Sequence, residues 1–84
     1  MLRAVKFGAS TCSMCNTMSK VLENIDYLKV EEIDVNESKN DELVEMSNVR
    51  KLPTTIFYRG SEKLAVKVGY VSEKEIHKIY NKEL

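Results

Sequence analysis

The chain has 84 residues, 43% apolar and 31% charged, with three glycines and one proline; this composition describes one small ordered domain, residues 1–84, and excludes a disordered or fibrous protein. Its 13 Lys and Arg balance 13 Asp and Glu, so no excess charge points to a nucleic-acid or membrane partner. No apolar run nears the ~20 residues of a membrane span, and Met1-Leu2-Arg3 lacks the charged and apolar regions of a signal peptide, so the expected location is the cytoplasm; a monomer is expected.

Leu2 to Phe7, carrying Ala4, Val5 and Phe7, predicts a buried strand, and Gly8-Ala9-Ser10-Thr11 then interrupts the pattern. From Cys12, the apolar positions Cys15, Met18, Val21, Leu22, Ile25 and Leu28 recur at helical spacing and predict a helix of about sixteen residues. Lys29 to Val35 predicts a second strand. Ser38 with Asp41 predicts the start of a short helix carrying Leu43, Val44 and Met46. Val49 to Pro53 is a loop, because Pro53 pushes Leu52 out of helical geometry. Thr54 to Tyr58 is β-branched and aromatic, hence a strand. A turn at Arg59-Gly60-Ser61-Glu62 leads to a partner strand, Lys63 to Val68. Ser72 and Glu75 have capping-box spacing for a last helix that turns Ile76, Ile79 and Tyr80 inward.

The element order is βαβαββα. A strand-helix-strand start makes the first pair parallel, and the tight Gly60 turn makes the last pair antiparallel. The expected class is α/β, a mixed sheet with helices on both faces.

The only two cysteines stand at Cys12-Ser13-Met14-Cys15, at the opening of the first helix. As a structural staple this pair is weak: closing a four-residue loop stabilises by only ~2 kcal/mol, against ~4.7 for a hundred-residue loop. Reversible oxidation suits the spacing better. A sulfur at a helix N-terminus meets unpaired N–H groups and the positive dipole end, which favour the thiolate. Lowering a thiol from pKa ~8.5 to ~7 raises its ionised fraction at neutral pH from ~3% to ~50%.

Three features in register resemble the thioredoxin and glutaredoxin superfamily: a strand followed by Cys12-x-x-Cys15, the Leu52-Pro53-Thr54 loop before the third strand, and Gly69 ending the fourth. The resemblance runs from about Leu2 to Tyr80 and matches the minimal core of that fold. It implies a four-stranded sheet of order 2-1-3-4 and a cis bond at Pro53. It further implies a dithiol–disulfide oxidoreductase in which Cys12 attacks and Cys15 resolves. Substrate contacts are then expected from Thr11, Ser13, Met14, Leu52, Pro53, Gly69 and Tyr70, with Met14, Leu52 and Tyr70 as an apolar rim. Pro53, lacking an N–H, would turn the backbone of Leu52 toward the sulfurs, where an extended substrate pairs as an added strand. The turn at Phe57-Tyr58-Arg59-Gly60 and the ending Val68-Gly69-Tyr70 look like thioredoxin; the absence of Trp looks like glutaredoxin. Ala9 stands where glutaredoxins place a Lys, and Gly69-Tyr70-Val71-Ser72 where they place Gly-Gly and then Asp. Thr11-Cys12-Ser13-Met14-Cys15 replaces the Trp-Cys-Gly-Pro-Cys of thioredoxins, and Lys6 occupies their buried acid position.

In a strand, Lys6 shares a face with Ala4 and Gly8. Its amine either approaches Cys15 and stabilises a thiolate, so that Lys6→Ala raises the Cys12 pKa, or reaches solvent past the strand end. Met18 and Met46 are expected in the core. Tyr27, Tyr58 and Tyr80 are expected at its edge, His77 on the surface, and the charges from Glu31 to Glu45 on a solvated face.

The leading function is reduction of protein disulfides with no bound cofactor. Electrons come from a reductase or from glutathione, and clients by analogy include ribonucleotide reductase. A glutathione-dependent, glutaredoxin-type reductase is one alternative. A metal or iron–sulfur module is another. Two thiolates and the distant His77 fall short of four ligands, so such a site would bridge two chains or recruit glutathione. The third is a non-catalytic interaction domain on the same fold.

Overall fold

The computed structural model describes residues 1–81. Its elements are β1 (Leu2–Gly8), α1 (Ser13–Glu23), β2 (Lys29–Asp34), α2 (Asp41–Met46), β3 (Thr54–Arg59), β4 (Glu62–Val68) and α3 (Glu73–Asn81), with one turn of 3-10 helix at Ser38–Asn40 before α2. The sheet order is β2-β1-β3-β4. β1 runs parallel to β2 and antiparallel to β3, and β3 pairs antiparallel with β4. Sheet order, strand directions and element order all agree with the sequence reading.

Alternation along the two central strands divides the core into two layers. Ala4 and Phe57 point to one face, where Met18 and Leu22 of α1 and Ile76 and Tyr80 of α3 cover them. Val5, Phe7 and Ile56 point to the other, with Ile33, and are covered by Val44 of α2 and by Val49 and Leu52 of the loop after it. β1 is thus buried on both faces and fixes the position of whatever follows its C-terminal end.

The last helix is capped as expected: the Glu75 N–H donates to Ser72 Oγ at 3.1 Å. Tyr80 is pinned from three sides. Its hydroxyl donates to the Arg3 carbonyl at 2.8 Å, the Arg59 guanidinium donates to the Tyr80 carbonyl, and the Tyr80 ring meets Phe57 edge-on at 6.0 Å. Burial first, and the nearby Tyr27 second, push its phenol up to about 12.

Three local expectations fail. α1 ends at Glu23, with Asn24 as its C-cap, well short of Leu28. Ile25 and Leu28 still reach the core because tight turns (Ile25 N–H to Leu22 O, Leu28 N–H to Ile25 O, both 3.1 Å) preserve the i, i+3 spacing that a helix also produces. The expected helix start at Ser38 is a 3-10 turn, with no side-chain cap either there or at the start of α2. Finally, Met46 is 78% exposed. A six-residue helix presents one narrow face to the sheet; Val44 takes it, so Leu43 and Met46, three apart, share the outer side.

Tyr58 is half-buried and Tyr80 buried, while Tyr27 is largely exposed at the edge of the α1 and α3 layer. There its hydroxyl meets His77 Nδ1 at 2.6 Å. Among the described residues, no helix is long and apolar enough to cross a membrane.

Candidate active site

β1 delivers the chain to Gly8, and a turn closed by the Cys12 N–H on the Ala9 carbonyl (3.1 Å) brings Cys12 to the N-cap of α1. Cys12 has extended backbone geometry there, and its Sγ accepts the Cys15 N–H at 3.1 Å, the hydrogen bond an N-cap oxygen ordinarily takes. The sulfur therefore lies at the positive end of the helix, beside donors left unpaired by helix geometry. Cys12 is half-buried, whereas Cys15, one turn further, is 1% exposed. The two form a disulfide with Cα atoms 5.2 Å apart.

Gly8 eases this close approach. A Cβ there would lie 3.2 Å from both Cβ and Sγ of Cys15 and 3.4 Å from Lys6 Cε. α1 can settle over the end of β1 because that position has no side chain.

The remaining site residues arrive from two loops. The Leu52-Pro53 bond is cis. Pro53 is buried, and its carbonyl accepts the Gly69 N–H at 2.8 Å, tying the loop before β3 to the segment after β4. Gly69 has φ +87, and a Cβ on it would lie 3.8 Å from Met14 Sδ. Pro53, Gly69 and Met14 are thus brought together beside the disulfide. The Val71 N–H donating to Met18 Sδ at 3.4 Å holds this segment against α1.

Met14 and Tyr70 are 48% and 56% exposed, and Thr11 and Ser13 are also exposed. Leu52 differs: its side chain is half-buried and packs on the layer that includes Val5 and Phe7, whereas Met14 and Tyr70 leave large apolar side chains exposed.

Lys6 lies on the face covered by α1 and is 3% exposed, so its amine does not escape to solvent. The ammonium donates to Glu32 Oε1 at 2.7 Å and to Ser19 Oγ, and the Ser19 hydroxyl lies 2.7 Å from Glu32 Oε2 and 3.2 Å from the Cys15 carbonyl. Sequence reasoning missed Glu32 and Ser19. The parallel register of β1 and β2 makes Lys6 and Glu32 neighbours on adjacent strands, and residue spacing alone does not reveal register. Among the described residues, no group of three or more His, Cys, Asp or Glu side chains is arranged to hold a metal ion.

This four-stranded fold, with a Cys-x-x-Cys disulfide opening a helix beside a buried proline, defines the dithiol–disulfide oxidoreductases. Comparison with known proteins agrees. The thioredoxin family model matches residues 2–82, and the chain belongs to that family. A thioredoxin of Buchnera aphidicola subsp. Schizaphis graminum is 31% identical over 75 residues, covering 86% of this chain and 69% of its own. The germline-specific thioredoxin Deadhead of Drosophila melanogaster superposes with a TM-score of 0.76 at 27% identity, over 99% of this chain and 81% of that one. A malarial protein shares the fold with a TM-score of 0.84 at 24% identity, over 100% of this chain and 98% of that one. The protein is an enzyme of this class, and the class acts on disulfides in client proteins.

Proposed function

We propose that the protein reduces client disulfides with Cys12 as the attacking thiolate and Cys15 as the resolving thiol. The observation that carries this assignment is the unequal exposure of two sulfurs held one helical turn apart, Cys12 half-buried at the N-cap and Cys15 sealed beneath it.

In the first step, the Cys12 thiolate attacks one sulfur of the client disulfide. That S–S bond breaks, a mixed disulfide forms, and the departing client thiolate takes a proton from water. In the second, Cys15 loses its proton to water and attacks Cys12 Sγ. The Cys12–Cys15 bond forms, and the second client thiolate leaves and is protonated. Two electrons pass to the client, and the enzyme ends in its disulfide form.

Met14, Gly69 and Tyr70 supply an uncharged surface beside the reacting sulfur. The strand pairing of β1 with β3 ends at Thr54, so the backbone of Leu52 lies outside that ladder and is available to an extended client segment. Electrons return from a thioredoxin-reductase-type protein. Ala9, small and neutral, supports this donor over glutathione, whose carboxylates need cationic partners. The cytoplasm, where thiols are kept reduced, suits this direction of reaction. Enzymes that leave a disulfide in their own active site after each turnover, such as ribonucleotide reductase, are the client class by analogy.

The test is disulfide-reduction turnover driven by NADPH with thioredoxin reductase, and separately by glutathione. Turnover with the reductase that Cys12→Ser abolishes is the expected result. Turnover that survives this substitution contradicts the assignment, and turnover with glutathione alone reassigns the donor.

A further inference from the structure

The buried side chain of Lys6 has no part in these two steps, yet its stem lies beside the place where Cys15 packs on Gly8. A carbon placed on Gly8 would touch both Cys15 Sγ, at 3.2 Å, and Lys6 Cε, at 3.4 Å, so the lysine stem and the resolving sulfur converge on one spot. Ser19 links the two again, lying against the ammonium on one side and the Cys15 carbonyl on the other.

The carboxylate that balances Lys6 lies farther out. Glu32 is on the edge strand β2 with its side chain 47% exposed, whereas Lys6 is 3% exposed. The cation is therefore the inner member of the pair and the anion the solvent-facing one. Water screens the outer charge more than the inner one. The pair is thus electrostatically unequal although it is formally neutral.

We propose that Lys6 is a positioning residue for the second step, holding a positive charge under Cys15 that stabilises it as a thiolate, and that Glu32 attenuates this charge. The inference rests on Cys15 being the resolving thiol. When Cys15 gives its proton to water and its thiolate attacks Cys12 Sγ, the ammonium offsets the negative charge that burial would otherwise penalise. Other groups face the same layer. Ser19 comes from α1 and Cys12 from its N-cap, and Thr55 of β3 lies opposite Lys6, its hydroxyl buried with no partner among the described residues. Lys67 of β4 lies opposite Thr55 and is committed to Glu75 of α3 at 3.0 Å. Among the described residues, Lys6 is thus the cation of this layer whose stem lies beside Gly8, where the sulfur packs.

The test reads the Cys15 thiolate alone, by ultraviolet absorbance against pH, in the full chain carrying Cys12→Ser. Lys6→Met is expected to raise the Cys15 pKa, with roughly a tenfold fall in thiolate fraction at fixed pH, about one pKa unit. Glu32→Gln is expected to lower it. Opposite signs distinguish a field from a packing defect, which moves both variants the same way. An unchanged titration in Lys6→Met, or shifts of one sign in both, overturns the proposal. Should Lys6→Met fail to fold, Glu32→Gln decides alone: a lowered pKa supports the proposal, and an unchanged or raised one overturns it. With Cys12 restored, Lys6→Met should also lengthen the life of the client mixed disulfide about tenfold near neutral pH. The titration needs no client, so failure of the reductase assignment appears in turnover and failure of this inference in the Cys15 titration.

Discussion

Gly8→Ala probes the contact on which the site is built. The added methyl would lie 3.2 Å from both Cβ and Sγ of Cys15, which is buried and carried on a helix. Overpacking a closed site by one methyl costs about 1–3 kcal/mol. For a domain of this size, each kcal/mol lowers Tm by about 4–8 °C. The cost differs between redox states. The Cβ contact persists in both, but the Sγ contact is fixed only while the sulfur is bonded to Cys12; a free thiol can rotate away. If ~1 kcal/mol of the cost falls on the disulfide form alone, the couple becomes more oxidising by roughly 20 mV. Thermal unfolding of both forms by circular dichroism, together with equilibration against a thiol–disulfide buffer, measures both effects. A reduced form that loses more stability than the oxidised form, or an oxidised Tm that does not move, refutes the reasoning.

Phe57→Ala empties a position that is 0% exposed between α1 and α3 and removes the edge contact with Tyr80, so denaturant unfolding should show a loss of about 3–5 kcal/mol. Met46→Gln, on the outer side of α2, should change stability by no more than about 0.5 kcal/mol in the same assay. Tyr80 gives a pH signature. Its folded pKa of about 12 lies above the unfolded value of 10.0, so its stabilising effect is complete below pH 10 and is lost as pH rises through 12. The loss should reach about 2–3 kcal/mol, and Tyr80→Phe should remove this alkaline dependence.

What the sequence made legible follows from local rules. β1, β3 and the Gly60 turn announced themselves by β-branched and aromatic content and by a single flexible residue, and Ser72 by its hydroxyl three residues before Glu75. Cys12 and Cys15 were readable because their spacing and place at a helix start carry the chemistry directly. What stayed hidden depends on geometry between elements. Ile25 and Leu28 keep helical spacing in turns that are not helix, so periodicity overran the end of α1. Met46 is apolar, but only the packing of α2 on the sheet determines that Val44 takes the inner face. The partnership of Lys6 with Glu32 exists only in the register of β1 against β2, and the half-burial of Leu52 only in the path of its loop. The charge of Glu32 looked like one of many on a solvated face, and most of its neighbours do lie there.

The most direct test of the central claim, attack by Cys12 and release by Cys15, is to trap the intermediate. Reduced Cys15→Ser protein, incubated with a disulfide-containing client and analysed by mass spectrometry, should accumulate a covalent adduct bonded through Cys12, and Cys12→Ser should give none. An adduct through Cys15 in the Cys12→Ser protein, at comparable rate and yield, contradicts the account.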